Sequence, residues 1–306
     1  MILAVVLGAS LQLSGASITP NAAAETRPDY EVLDYDDEIE IDFRRKQIKG
    51  RERIQVRILR DNLEQVGFPR NGIDVVALRS AAGTALSRGP STDRIDVRLP
   101  KPLRRNEVTT IEADYQATRP MGVEFGARSA YTSFYTCHWM ICREGPEDKA
   151  TWKLTILAPP DLTVVASGDP VLGGQGPVNG HRRTVWREST PYSSYLFAFA
   201  VGHLTRFAYR HGDINLEIYV QDIDRHPIPV RKMFEQTGAA LDFFADKAGQ
   251  PFPRRGYRQV IVDGDVAQEA TSFSLLGSEL LTGLGTPSGR APIISHELAH
   301  QFGGTS

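Results

Sequence analysis

The chain has 306 residues, a formal net charge of -2, 41% hydrophobic and 24% charged residues, the balance of a soluble globular protein long enough for two domains. That charge argues against a general polyanion binder. The basic pairs Arg44-Arg45, Arg104-Arg105, Arg182-Arg183 and Arg254-Arg255 are scattered without clustered aromatics, so no nucleic-acid partner is expected.

Ile2 to Leu13 is apolar apart from small or polar interruptions, and Ala22-Ala23-Ala24 before Glu25 offers a small-x-small cleavage site. Residues 1–24 therefore read as a secretory signal, and the mature chain as exported, periplasmic or extracellular. A membrane span needs about 20 apolar residues. This stretch is shorter, and no span is expected in the mature chain.

From Tyr30 to Leu59 apolar and polar residues alternate in two runs split around Arg45 to Gly50, the pattern of an antiparallel hairpin. Further strands are expected at Gly72 to Leu78, Arg94 to Leu99, Val108 to Tyr115, Ala150 to Leu157 and Leu162 to Ala166, with Pro or Gly between them. Cys137 and Cys142 flank His138; two cysteines are too few for a structural zinc site, which leaves packing or a disulfide. Gly173-Gly174-Gln175-Gly176 lacks a following Lys and Ser/Thr and reads as a hairpin loop rather than a phosphate loop. Ser193 to Gly202 is an almost continuous apolar run, expected as a buried strand closing an all-β sandwich or saddle over residues 25–207.

Beyond His211 the pattern changes. Ile214 to Val220 reads as a strand. Pro229 to Ala248 carries Val230, Met233, Phe234, Leu241 and Phe244 at three- and four-residue spacings, with Gly249 to end an amphipathic helix. A short strand, Tyr257 to Val262, precedes a loop rich in Gly and Pro from Gly283 to Gly289. Then comes APIISHELAHQFGG, Ala291 to Gly304, expected as a helix with Pro292 in its first turn and Gly303-Gly304 at its end. Residues four apart share a helix face, so His296 and His300 can hold one Zn²⁺ while Glu297 points a carboxylate at a water bound there. A catalytic zinc takes three protein ligands and a water. Only two ligands are visible here, so residues 208–306 read as the beginning of a catalytic domain, and the chain as given as an inactive fragment.

The hairpin EIEIDFRRKQIKG, the stretch CREGPEDKATW at Cys142 to Trp152, STPYSSYLFAFAVGHL at Ser189 to Leu204, and ISHELAHQFGG occur in order from about Asp29 onward. Together they resemble the gluzincin family that includes the membrane alanyl aminopeptidases and leukotriene hydrolases. The resemblance implies a mainly β saddle followed by a thermolysin-like α/β catalytic domain, zinc as cofactor and peptides as substrates. It also implies a Gly-x-Met-Glu-Asn motif that binds the substrate's free α-amino group. The matching segment here is VAQEA, Val266 to Ala270: Glu269 keeps the carboxylate, while the Gly, Met and Asn are absent. The family's third zinc ligand, a Glu beyond the second His, and its transition-state Tyr have no counterpart in these residues. Two rivals to an aminopeptidase remain: a non-catalytic relative that binds peptides or proteins, and a peptidase with no preference for a free amine.

Overall fold

The computed structural model describes residues 28–222, 229–283 and 287–303. The expected signal segment and Gly304 lie outside them. In chain order the first elements are β1 (Tyr30–Asp42), β2 (Gln47–Ile58), β3 (Leu63–Pro69), β4 (Asp74–Ser80), β5 (Arg94–Leu103), β6 (Val108–Thr118), β7 (Val123–Phe125) and β8 (Ala130–Thr132). They continue with β9 (Lys149–Ala158), β10 (Thr163–Ala166), β11 (Asp169–Pro170), β12 (Gly176–Val178), β13 (His181–Ser193) and β14 (Phe199–Gly202). Then follow β15 (Leu204–His211), β16 (Ile214–Gln221), α1 (Val230–Ala248), β17 (Gly256–Val262), β18 (Ala267–Ala270), β19 (Phe273–Gly277), α2 (Ser278–Gly283) and α3 (Pro287–Gly303).

The alternation in the opening hairpin becomes one face of an eight-stranded sheet, ordered β11-β13-β9-β1-β2-β6-β4 with β12 beside β13. Its inner face carries Tyr35, Ile39, Ile41, Ile48, Ile54 and Val56, all buried, which is the period-two signature of a sheet with one covered face. A four-stranded sheet, β10-β14-β8-β7, and the β3-β5 ribbon share this core. Aromatic rings fill it: Trp152 stacks on Phe197 at 4.7 Å, and Trp139 meets Phe199 edge-on at 5.3 Å. The two cysteines form a disulfide that closes a loop whose residues Trp139, Met140 and Ile141 are fully buried.

Several expectations are adjusted by packing. The hairpin turn lies at residues 43–46, with Lys46 left-handed at φ 53°, because β2 already pairs from Gln47. Ser193 to Gly202 is not one strand: Ser193 ends β13, residues 194–196 form a 3-10 turn, and Phe199–Gly202 pairs inside the four-stranded sheet. Apolarity there reports burial rather than extension. The Gly-rich loop is a 3-10 turn leading into β12, with no helix behind it. The junction expected after residue 207 falls inside β15, which pairs with β16 along its whole length.

The second sheet runs β15-β16-β17-β19-β18, with β16, β17 and β19 parallel. Both faces are covered, as parallel strands require. Val260, Val262, Phe273 and Leu275 face the β scaffold, while Tyr257, Ile261 and Leu276 join Leu216, Ile218, Met233, Leu241, Ile294 and Leu298 under the helices. α1 follows its sequence signals: Pro229 caps the start, and Gly249 ends it at φ 64°. α3 begins earlier than expected, at Pro287 within the anticipated loop, so Pro292 is an interior residue that removes one helical hydrogen bond.

Candidate metal and catalytic site

α3 lies beside α1, where Phe302 meets Phe244 at 5.8 Å and Phe252 at 5.4 Å. Its buried stripe is Ile294, Glu297, Leu298 and Gln301, residues three and four apart. Two of the four are polar. A polar side chain on a helix's buried face needs either a partner or a task. The histidines lie on the flank of the same helix and are both exposed.

His296 Nε2 and His300 Nε2 stand 3.2 Å apart, with ring centroids 4.9 Å apart and planes at 77°. Two imidazole nitrogens on one tetrahedral zinc, each at about 2.0–2.1 Å, stand about 3.3 Å apart. The spacing seen here therefore fits a shared ion. A carboxylate oxygen of Glu269, one of Glu297 and a ring nitrogen of His300 lie within 4.8 Å of one another. This brings the half-buried Glu269 of β18, read from sequence as an amine binder, to the same place as the helix residues. His296 is not in that group of three and reaches the site through His300.

Glu297 is 3% exposed, and its Oε2 is buried without a hydrogen-bond partner. An unsatisfied buried carboxylate oxygen is costly, so its persistence beside two imidazoles marks a position for a ligand. Burial, helped by the charge of Glu269, pushes the Glu297 carboxyl up to about 7. A carboxyl in that range can both take and give a proton near neutral pH. Beneath it Tyr257 shares a hydroxyl–hydroxyl hydrogen bond with Ser274, and burial followed by the charge of Glu297 keeps its phenol neutral. The donor set, two convergent imidazoles and adjacent carboxylates, suits zinc.

Gln301 is the buried polar residue that sequence reading passed over. Its Oε1 accepts from the Ser272 amide at 3.0 Å and its Nε2 donates to the Ala270 carbonyl at 2.9 Å. The signal was present in the sequence: a Gln four residues after Glu297 and seven after Ile294 sits on the apolar stripe.

No protein-family model matches the chain. It is 27% identical over 190 residues to an aminopeptidase N of Streptomyces lividans, with 58% of this chain covered and 20% of that protein. It is 24% identical over 245 residues to a glutamyl aminopeptidase of Rattus norvegicus, covering 76% of this chain and 25% of that one. The chain thus spans a fifth to a quarter of these curated relatives. An M1 zinc metallopeptidase of Deinococcus radiodurans has the same fold, with a TM-score of 0.73 at 21% identity over 89% of this chain and 64% of that chain. A mutant of that enzyme bound to a Tyr-Ser-Ala substrate superposes with a TM-score of 0.75 at 21% identity. These similarities bear out the resemblance to the gluzincin aminopeptidases, and the mainly β fold leading into an α/β unit.

Proposed function

We propose that this chain forms the N-terminal part of a zinc-dependent metallopeptidase that removes N-terminal residues from peptides. One observation carries the reading: two exposed imidazole nitrogens converge at 3.2 Å next to a buried carboxylate with an orphaned oxygen. His296 and His300 would hold the zinc through Nε2, with the β scaffold and the five-stranded sheet as the platform that presents α3. When bound, zinc acidifies a water and polarises the scissile carbonyl. Glu297, beside the two imidazoles, would accept the proton on its carboxylate and return it to the leaving amine. Glu269 offers a charge for the substrate's free α-ammonium, which would favour peptides whose amino terminus is unblocked. The disulfide between Cys137 and Cys142 supports an exported protein, since such bonds persist in oxidising compartments.

The test uses the full-length protein. It is expected to carry about one zinc per chain, to lose it in His296→Ala, and to cleave aminoacyl amides faster than their N-acetylated forms. Zinc retained in His296→Ala would overturn the metal assignment. Equal rates on the two substrates would instead favour a peptidase with no preference for a free amine.

A further inference from the structure

The two carboxylates of the site belong to different elements, and neither the sheet ladder nor apolar packing fixes their separation. β18 is an edge strand, paired on one side with β19. α3 meets the sheet through Ile294 and Leu298, and aliphatic contacts of this kind resist separation far more than sliding. Directional bonds must set the register.

We propose that Gln301 is a positioning residue: by clamping the β18–β19 turn to α3 it holds the carboxylate of Glu269 against His300 and Glu297, and so sets the selection for a free α-amino group. This rests on the reading of Glu269 given above.

The turn is an unusually firm anchor. Ala270 pairs with Phe273, so Thr271 and Ser272 make a two-residue turn, with Ser272 left-handed at φ 69°. On the scaffold side, the Thr271 amide donates to the Leu196 carbonyl at 3.0 Å. Ser272 Oγ accepts from the Gly168 amide and donates to the Gly168 carbonyl, each at 2.9 Å. Only glycine fits at 168, where φ is 87° and a Cβ would fall 2.2 Å from the Arg187 carbonyl oxygen. The Ser272 carbonyl accepts from the Arg258 amide of β17 at 3.2 Å. The turn is therefore fastened to the β scaffold and to the sheet centre, and Gln301 fastens α3 to the turn.

The amide of Gln301 has one workable orientation. Its oxygen meets an N–H and its nitrogen meets a carbonyl, and rotating it by half a turn would set donor against donor and acceptor against acceptor. Both bonds are buried, with Gln301 7% exposed. Both end just after Glu269, one at Ala270 and the other at Ser272, while His300 is the residue immediately before Gln301. One side chain thus spans the two halves of the site over a single residue on each side. A displacement of about 1 Å at such a point can cost on the order of 10²-fold in rate.

The experiment is Gln301→Met in the full-length protein, a change that keeps length and apolar contact and removes both hydrogen bonds. Zinc content, KM and kcat on an aminoacyl amide and its N-acetyl form, and amide hydrogen exchange are measured together. Expected are unchanged zinc, a KM for the free-amine substrate raised about tenfold or more, and kcat/KM for the N-acetyl substrate changed less than twofold. Protection of the Ser272 amide should fall about tenfold or more while that of Val260 in β17 stays. An equal loss on both substrates, or no change in KM, overturns the positioning role. Unaltered Ser272 protection overturns the clamp itself, and this reading does not depend on activity. If the wild type fails to distinguish the two substrates, the assignment of Glu269 fails instead, and the exchange result still decides the clamp.

Discussion

Asp37 and Glu52 face each other across β1 and β2 with neither exposed to solvent, whereas Glu269 and Glu297 meet where two imidazoles stand open to it. Both pairs hold unsatisfied oxygens: Asp37 Oδ1 and Glu52 Oε1 in the first, Glu297 Oε2 in the second. Both hold carboxyls pushed upward, chiefly by burial. What separates them is access. The first pair is roofed by the β-scaffold core, with Trp152 Nε1 donating to Asp37 at 2.8 Å and the Ile141 amide donating to Glu52 at 2.9 Å. Its neighbour Tyr115 lies over Gly50 on the same face, where a Cβ would collide with the ring. No substrate could reach it. A shifted carboxyl is thus a sign of burial first, and becomes a candidate for chemistry only where donors converge and solvent can enter.

The strongest way to break this contrast is Glu297→Gln in the full-length protein, which keeps the shape and removes the proton acceptor. Turnover should fall at least about 10²-fold with zinc retained, and a steady-state assay with metal analysis checks both. The same assay on Asp37→Asn should show near-normal turnover. A variant Asp37 that disabled turnover while Glu297→Gln did not would invert the assignment.

The next effect is on stability, and it belongs to the closed pair. Burial lifts the Asp37 carboxyl from 3.8 to about 8, with the charges of Asp36 and Asp34 adding and the Trp152 hydrogen bond opposing. The folded chain therefore keeps a proton that the unfolded chain releases near its ordinary value. A raised acid contributes stability that is complete below about pH 4 and lost as pH rises toward 8, at up to about 1.4 kcal/mol per pH unit. Wild-type Tm should decline across that window, and Asp37→Asn should flatten the decline. Parallel pH profiles would mean that Asp37 is ionised in the fold.

The smallest effect sharpens the comparison from outside. Arg51 and Asp114 make a 3.0 Å ion pair on the exposed face of the same sheet, where screening leaves such pairs worth about 0.5 kcal/mol. Arg51→Ala should shift a urea midpoint barely and lose even that shift in high salt. A large destabilisation would show that the outer face carries more of the scaffold than its exposure suggests.

Local rules sufficed for much of the molecule. Alternation set the β1–β2 hairpin, Pro229 and Gly249 bounded α1, and the four-residue step from His296 to His300 fixed two imidazoles on one helix flank, because each depends on neighbours within a few residues. The positions of Asp37 and Glu52 on the apolar phase of their strands were readable in the same way, as breaks in the pattern. What the sequence left open depends on where separate elements come to rest. The start of α3 before Pro292, the division of Ser193–Gly202 into a turn and a strand, and the approach of Glu269 to Glu297 all follow from docking onto other elements. Buried hydrogen bonds from Gln301 and Ser272 to backbone groups 29 to 104 residues away join α3, the β18–β19 turn and the β scaffold. Partners so distant leave no periodic trace in the chain, so only the tertiary structure could bring the two carboxylates and the histidines to one place.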